Sequence, residues 1–219
     1  MVLCYVTDRH LISASASIDE LVKSIEHAAG AGVDWIQIRE KDLSARELAE
    51  LTRRAITTAE RAAARKGQPP LVIVNDRLDV ALAAGAAGVH LSGTSISAAD
   101  AVKWLRAGNA PAGFRVGVSC HSRDEGIAAE KAGASYVFFG PIYETPSKLK
   151  FGAPQGTEKL AEICRSVGVP VLAIGGVNEA NAAACIRAGA SGIAAIRMFQ
   201  EVSDETTLAA VVSRLRGSA

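Results

Sequence analysis

Aromatic side chains are scarce in this chain, with five Phe, three Tyr and two Trp among 219 residues. Because 49% of the residues are nonetheless hydrophobic, the interior has to be built from Ala, Val, Leu and Ile, as in helices packed closely on a parallel sheet. Net charge is nearly absent too. A formal charge of +1 provides none of the basic footprint that nucleic-acid binders carry, so nucleic acid is excluded as a partner and any anion site must be local. No run is long and apolar enough to cross a bilayer as a helix, so the expected partners do not include a membrane. Cys4, Cys120, Cys164 and Cys185 are scattered without CxxC spacing, and no signal-like leader precedes Tyr5. Reduced thiols and a cytoplasmic location are therefore expected. A glycine-rich GxGxxG turn is missing after the first apolar run, where Thr7-Asp8-Arg9-His10 stands instead. That argues against an open dinucleotide-binding sheet.

What the chain does have is rhythm. Short apolar runs recur at Leu3–Thr7, Asp34–Arg39, Leu71–Asp76, Gly88–Ser92, Arg115–Cys120, Tyr136–Gly140, Val171–Gly175 and Gly192–Arg197. Each has the length of a strand. Alanine-rich stretches with apolar residues three and four apart follow them, among them Ile18 to Gly30 and Ser44 to Arg65. Ser17 or Asp19 and Ser44 are the expected amino-terminal caps. Ala31-Gly32, Ala84-Gly85, Ala132-Gly133 and Ala188-Gly189 each lie just before a run, where a glycine ends a helix because it accepts positive φ. The repeat spans two strand-helix units, which predicts an α/β fold of parallel strands closed as a (β/α)8 barrel, a single domain over 1–219. An open doubly wound sheet is the alternative. The longest irregular segment runs from Pro141 to Gly156, and a loop of that length in a compact barrel is more often functional than idle.

In such a barrel, ligands are held at the carboxyl ends of the strands. The residues found there are polar: Gln37, Arg39 and Lys41 after the second run, Asn75 and Asp76 after the third, His90 and Ser95 after the fourth, and Ser119 and His121 after the fifth. Thr145, Ser147 and Lys148 follow the sixth, Gly175-Gly176 the seventh, and Arg197 belongs to the eighth. Gln37-Ile38-Arg39-Glu40-Lys41 is the most telling stretch, since cations at a buried strand's end suit an anionic substrate. A solvated loop with a salt bridge is the plainer reading. Gly175-Gly176-Val177-Asn178, read as opening a helix, has the form of a phosphate cradle of free amides. Asp76 suits Mg²⁺, which takes few protein carboxylates and keeps substrate oxygens and waters; as a helix cap it would serve equally well. His121 suits a general acid or base, or a structural hydrogen bond. His10 and His27 read as surface residues and Cys120 as a small buried one.

Taken in order, Gln37-Ile38-Arg39-Glu40-Lys41, Val74-Asn75-Asp76, Gly88-Val89-His90-Leu91, Gly117-Val118-Ser119, Gly140-Pro141-Ile142-Tyr143, Pro154-Gln155-Gly156 and Ala173-Ile174-Gly175-Gly176-Val177 resemble the thiamin phosphate synthase/TenI family nearly end to end. The resemblance implies a transferase of thiamin biosynthesis: an aminopyrimidine methyl diphosphate loses diphosphate with Mg²⁺ help, and a thiazole phosphate captures the cation. It implies that Arg39, Lys41, Asn75 and Lys148 hold the diphosphate, Asp76 the metal, and Gln37 and Ser119 the pyrimidine. Thr145 and Ser147 would line a lid, with Gly175-Gly176 and the loop after the eighth run at the thiazole phosphate. Two positions depart from the synthase pattern. Ser95 stands where a second acidic metal ligand is expected, and Arg197 where a small Ser is usual. Ser92-Gly93-Thr94-Ser95 and Glu144-Thr145 are similar to the TenI branch, which implies a thiazole tautomerase using His121. A non-catalytic barrel that binds thiamin intermediates is the third alternative. Each takes small phosphorylated partners, and the sequence allows a homo-oligomer.

Overall fold

A computed structural model describes residues 1–13, 15–64, 67–145, 153–202 and 204–217. Each apolar run forms a strand: β1 (Val2–Val6), β2 (Trp35–Ile38), β3 (Leu71–Asn75), β4 (Gly88–Leu91), β5 (Arg115–Cys120), β6 (Tyr136–Phe139), β7 (Val171–Ile174) and β8 (Gly192–Ala195). They pair in sequence order as a closed barrel. The pairing is parallel, with Ile36 beside Val72, Ser119 beside Phe138 and Ala173 beside Ile193. Between and after the strands lie α1 (Ile18–Ala31), α2 (Ala45–Ala63), α3 (Leu78–Ala83), α4 (Ala98–Trp104), α5 (Arg123–Lys131), α6 (Gly156–Ser166), α7 (Ala182–Arg187), α8 (Arg197–Gln200) and α9 (Glu205–Gly217).

The helices begin and end where the chemistry of their termini directs. The Ser17 hydroxyl accepts from the Asp19 amide and caps α1. Ser44 and Glu47 exchange side-chain and backbone bonds at the start of α2, satisfying two otherwise orphaned donors. At the other ends Gly32, Gly85, Gly133 and Gly189 have φ of +92°, +74°, +92° and +101°. The Ala-Gly repeat is thus four helix exits of one kind.

The chain falls into two compact units. The first comprises Leu3–Val89 together with the segment from Ile196 onward. Here α1 packs against α2 and α9, and Arg216 reaches back to the Gly32 carbonyl at 3.0 Å and Asp34 at 2.9 Å. Tyr5 is fully buried, its hydroxyl between Ser24 at 3.0 Å and Gln200 at 2.9 Å. The second unit comprises Met1–Val2 and His90–Ala195. Three of its aromatics, Tyr136, Phe138 and Phe139, are fully buried on β6, and each such side chain contributes roughly 1.5–3 kcal/mol through removal from water.

Candidate active site

In the first unit, β2 and β3 deliver a connected polar group. Gln37, 2% exposed, donates from Nε2 to Asn75 Oδ1 at 2.9 Å, and Asn75 Nδ2 donates to Asp76 Oδ2 at 2.8 Å. The carboxylate at the end sets the direction. It can only accept when ionised, so Asn75 must turn its amide nitrogen to Asp76 and its oxygen to Gln37. Gln37 then presents its own nitrogen, and its Oε1 is left buried without a hydrogen-bond donor among the described residues. An acceptor stranded in this way costs about 1–3 kcal/mol until something donates to it. Asp76 has φ +60°, a left-handed conformation that costs an L-residue roughly 1–2 kcal/mol. It does not cap α3, whose amino end is Arg77 with no side-chain cap. The helix-cap reading of Asp76 therefore fails, and its carboxylate belongs to the Gln37–Asn75 group.

The alternation of charge along Arg39-Glu40-Lys41 resolves into two functions. Glu40 is 4% exposed. Its carboxylate accepts from the Thr7 hydroxyl at 2.7 Å, from the Arg9 amide at 3.2 Å and from Arg9 Nη1 at 3.0 Å. Arg9, itself 8% exposed, also grips Asp42 with both terminal nitrogens, and Asp42 is held well below the usual carboxylate range by it. The Thr7 hydroxyl accepts the Arg39 amide at 2.9 Å. Glu40 is thus drawn inward, while the half-buried Arg39 and the exposed Lys41 have no side-chain partner among the described residues. Arg197 differs. It lies exposed on α8 and pairs with Glu201 at 3.2 Å, an i,i+4 contact.

In the second unit, Ser119 on β5 is bound by buried His90 at 2.9 Å. Ser95 closes a tight turn, its hydroxyl taking the Ser92 amide at 2.8 Å. Gly175 and Gly176 follow β7 with φ of +89° and +70°. A Cβ on Gly176 would stand 2.7 Å from the Glu144 carbonyl oxygen and from the Tyr143 Cβ. The backbone is clamped there by bonds from the Ile142 amide to Ile174 O at 3.0 Å and from the Tyr143 amide to Gly175 O at 2.9 Å. Thr145 lies two residues beyond that clamp. The expectation that Gly175-Gly176 opens a helix is corrected: α7 starts only at Ala182. Asn178 and Asn181 build an intervening turn, in which Asn178 Oδ1 takes the Ala180 amide at 2.9 Å and Asn181 Nδ2 binds Gly176 O at 3.0 Å. Amides around the diglycine, rather than a helix end, are what remains for an anion; those of Gly176 and Val177 make no hydrogen bond among the described residues.

His121 follows β5, bordering a cavity of about 290 Å³ lined also by Arg123, Asp124, Lys159 and Glu162. Two cations and two anions balance there, so the cavity has no bias towards phosphate. The His121 Nδ1 lies 2.5 Å from the Gly140 carbonyl oxygen, which can only accept, so Nδ1 carries the proton. Cys120 is buried, and desolvation pushes its thiol up to about 12, which removes it as a nucleophile at neutral pH. Ser147 and Lys148 lie outside the described residues. Sequence reasoning missed the part played by Arg9, and also Tyr136, which touches His90.

A family model described as thiamine monophosphate synthase matches residues 3–199. A putative thiamine-phosphate synthase of Geobacter sulfurreducens is 42% identical over 194 residues, covering 89% of this chain and 84% of that protein. The thiamine-phosphate synthase of Chlorobium phaeobacteroides is 35% identical over 216 residues, covering 98% and 96%. Among solved structures, thiamine phosphate pyrophosphorylase from Pyrococcus furiosus superposes with a TM-score of 0.82 at 29% identity, covering 99% of this chain and 96% of that one.

Proposed function

From the premise that this chain belongs to the thiamine monophosphate synthase family, we propose that it is a thiamin phosphate synthase acting as a single barrel domain over 1–219. It joins an aminopyrimidine methyl diphosphate to a thiazole phosphate and releases diphosphate. The observation that carries this reading is the withdrawal of Glu40 into its contacts with Thr7 and Arg9, which leaves Arg39 and Lys41 as cations with no side-chain partner among the described residues at one strand end. A leaving group that gains negative charge as its bond breaks is stabilised by fixed positive groups that need no reorganisation.

Arg39, Lys41 and Asn75 take the diphosphate in this reading, together with Lys148. The buried Gln37 Oε1 receives the exocyclic amino group of the pyrimidine, and Ser119 meets the ring. Gly175 and Gly176 receive the thiazole phosphate through backbone amides, with Thr145, Ser147 and Arg197 as further contacts. The donor set fits Mg²⁺ as a cation shared with substrate oxygens: Asp76 offers one hard carboxylate, and no group of three or more His, Cys, Asp or Glu suited to a metal occurs among the described residues. Asp76 would hold the ion, which when bound neutralises charge on the diphosphate. Ser95 adds no second carboxylate. A cytoplasmic enzyme with small phosphorylated partners is consistent with the described residues, in which no helix is long and apolar enough to cross a membrane.

The test is direct. Purified protein given both substrates and Mg²⁺ should form thiamin phosphate and release diphosphate in equal amounts. Absence of product across the whole range of Mg²⁺ concentration overturns the reading. A second reading rests on His121, whose Nδ1 proton is committed to Gly140 O and whose Nε2 is thereby a base. It makes the protein a thiazole tautomerase, and predicts metal-independent exchange of solvent protons into thiazole phosphate that His121→Ala abolishes.

A further inference from the structure

His90 is 1% exposed on β4 and has no part in the chemistry proposed above. Its ring is nevertheless held from both nitrogens, with Nδ1 3.2 Å from the Tyr136 hydroxyl and Nε2 2.9 Å from the Ser119 hydroxyl. The Phe138 ring centroid lies 4.2 Å from that of the imidazole. The strand next to Tyr136 makes room for this arrangement, because a Cβ on Gly117 would fall 2.1 Å from Tyr136 Cζ and 2.4 Å from its hydroxyl oxygen. Gly117-Val118-Ser119 therefore does two things two residues apart: it admits the phenol, and it carries the serine at the far end of the same imidazole.

A neutral imidazole donates from one nitrogen and accepts at the other. Of its two hydroxyl neighbours one is a phenol and the other an alcohol, and a phenol O–H is the stronger donor to a basic nitrogen. Tyr136 then donates to Nδ1 and Nε2–H donates to Ser119 Oγ. Ser119 has no other side-chain partner among the described residues, so its own O–H remains to donate outward. We propose that Tyr136 and His90 are positioning residues, a two-step relay that holds the Ser119 hydroxyl with its hydrogen directed to a ring nitrogen of the pyrimidine substrate. The inference rests on the reading above that Ser119 meets the pyrimidine.

The experiment combines ¹⁵N NMR of histidine-labelled protein with kinetics of Tyr136→Phe, Ser119→Ala and the double variant. In the unsubstituted protein the ¹⁵N shifts of His90 should report the Nε2–H tautomer. Tyr136→Phe should lose that preference and lower kcat/KM for the pyrimidine diphosphate about tenfold, the loss of one hydrogen bond's worth of discrimination, leaving KM for thiazole phosphate unchanged. With Ser119→Ala in place, Tyr136→Phe should have no further effect. An Nδ1–H tautomer in the unsubstituted protein overturns the relay even if no variant folds, and additive losses overturn it as well. Full activity in Ser119→Ala with the Nε2–H tautomer intact would instead sink the assignment of Ser119 to substrate.

Discussion

On the proposed function, the end of β2 and the end of β7 are two solutions to the binding of an anion. At β2 the binding groups are side chains, Arg39 and Lys41, and their availability depends on an ion pair beneath them that occupies Glu40. At β7 they are backbone amides, and what shapes them is steric: two consecutive left-handed glycines at which an added Cβ would collide with Pro141, Tyr143 or Glu144. The first is electrostatic in its support and tolerant in its backbone. The second has no charge to lose and no space to give. A substitution that disables one should therefore spare the other.

The largest effect is expected from Arg9→Met. Removing one partner of a buried pair leaves Glu40 uncompensated and should cost about 3–5 kcal/mol of stability, read as a lowered urea midpoint. In the folded fraction, affinity for the diphosphate substrate should fall while that for thiazole phosphate is unchanged. A midpoint equal to that of the unsubstituted protein would show that the pair does not support this strand end. Next comes Gly176→Ala, which combines a φ of +70° with a Cβ 2.7 Å from a carbonyl oxygen. The strain is about 2 kcal/mol; where the free loop relieves it by turning its amides away, binding has to restore it, so the dissociation constant of thiazole phosphate should rise by up to roughly 30-fold by calorimetry. An equal loss for both substrates would erase the contrast. The smallest effect concerns pH. Asp42 is held below its ordinary value of 3.8 chiefly by its hydrogen bond from Arg9. A depressed folded value means that the contribution is complete above 3.8 and is given up as the pH falls below it. Asp42→Asn should flatten the acid limb of a plot of Tm against pH, though only slightly, because the Asp42 side chain is 51% exposed. An unaltered limb would remove Asp42 from the clamp.

Much of this architecture was legible in the linear order of residues because its determinants are local. Apolar runs became strands within a residue or two, Ser17 and Ser44 became caps, and the four Ala-Gly pairs became helix exits. The strand-end residues were legible for the same reason. Their partners were not. Glu40 meets Arg9 across 31 residues and His90 meets Tyr136 across 46, and no periodicity announces such pairs. The helix misplaced at Gly175 has a local cause: Asn178 and Asn181 satisfy each other's backbone amides and delay the first helical turn to Ala182. Asp76 misled in the opposite way. Its sequence context suits a cap, yet its positive φ turns the carboxylate onto Asn75.

The inward turn of Glu40 also bears on what happens after bond cleavage. With their intervening anion removed from play, Arg39 and Lys41 as proposed diphosphate ligands would attract a polyanion just as firmly once it has become product. On the proposed reaction the exit of diphosphate then limits turnover, and added salt should speed the catalytic cycle at saturation even as it weakens capture of the incoming substrate.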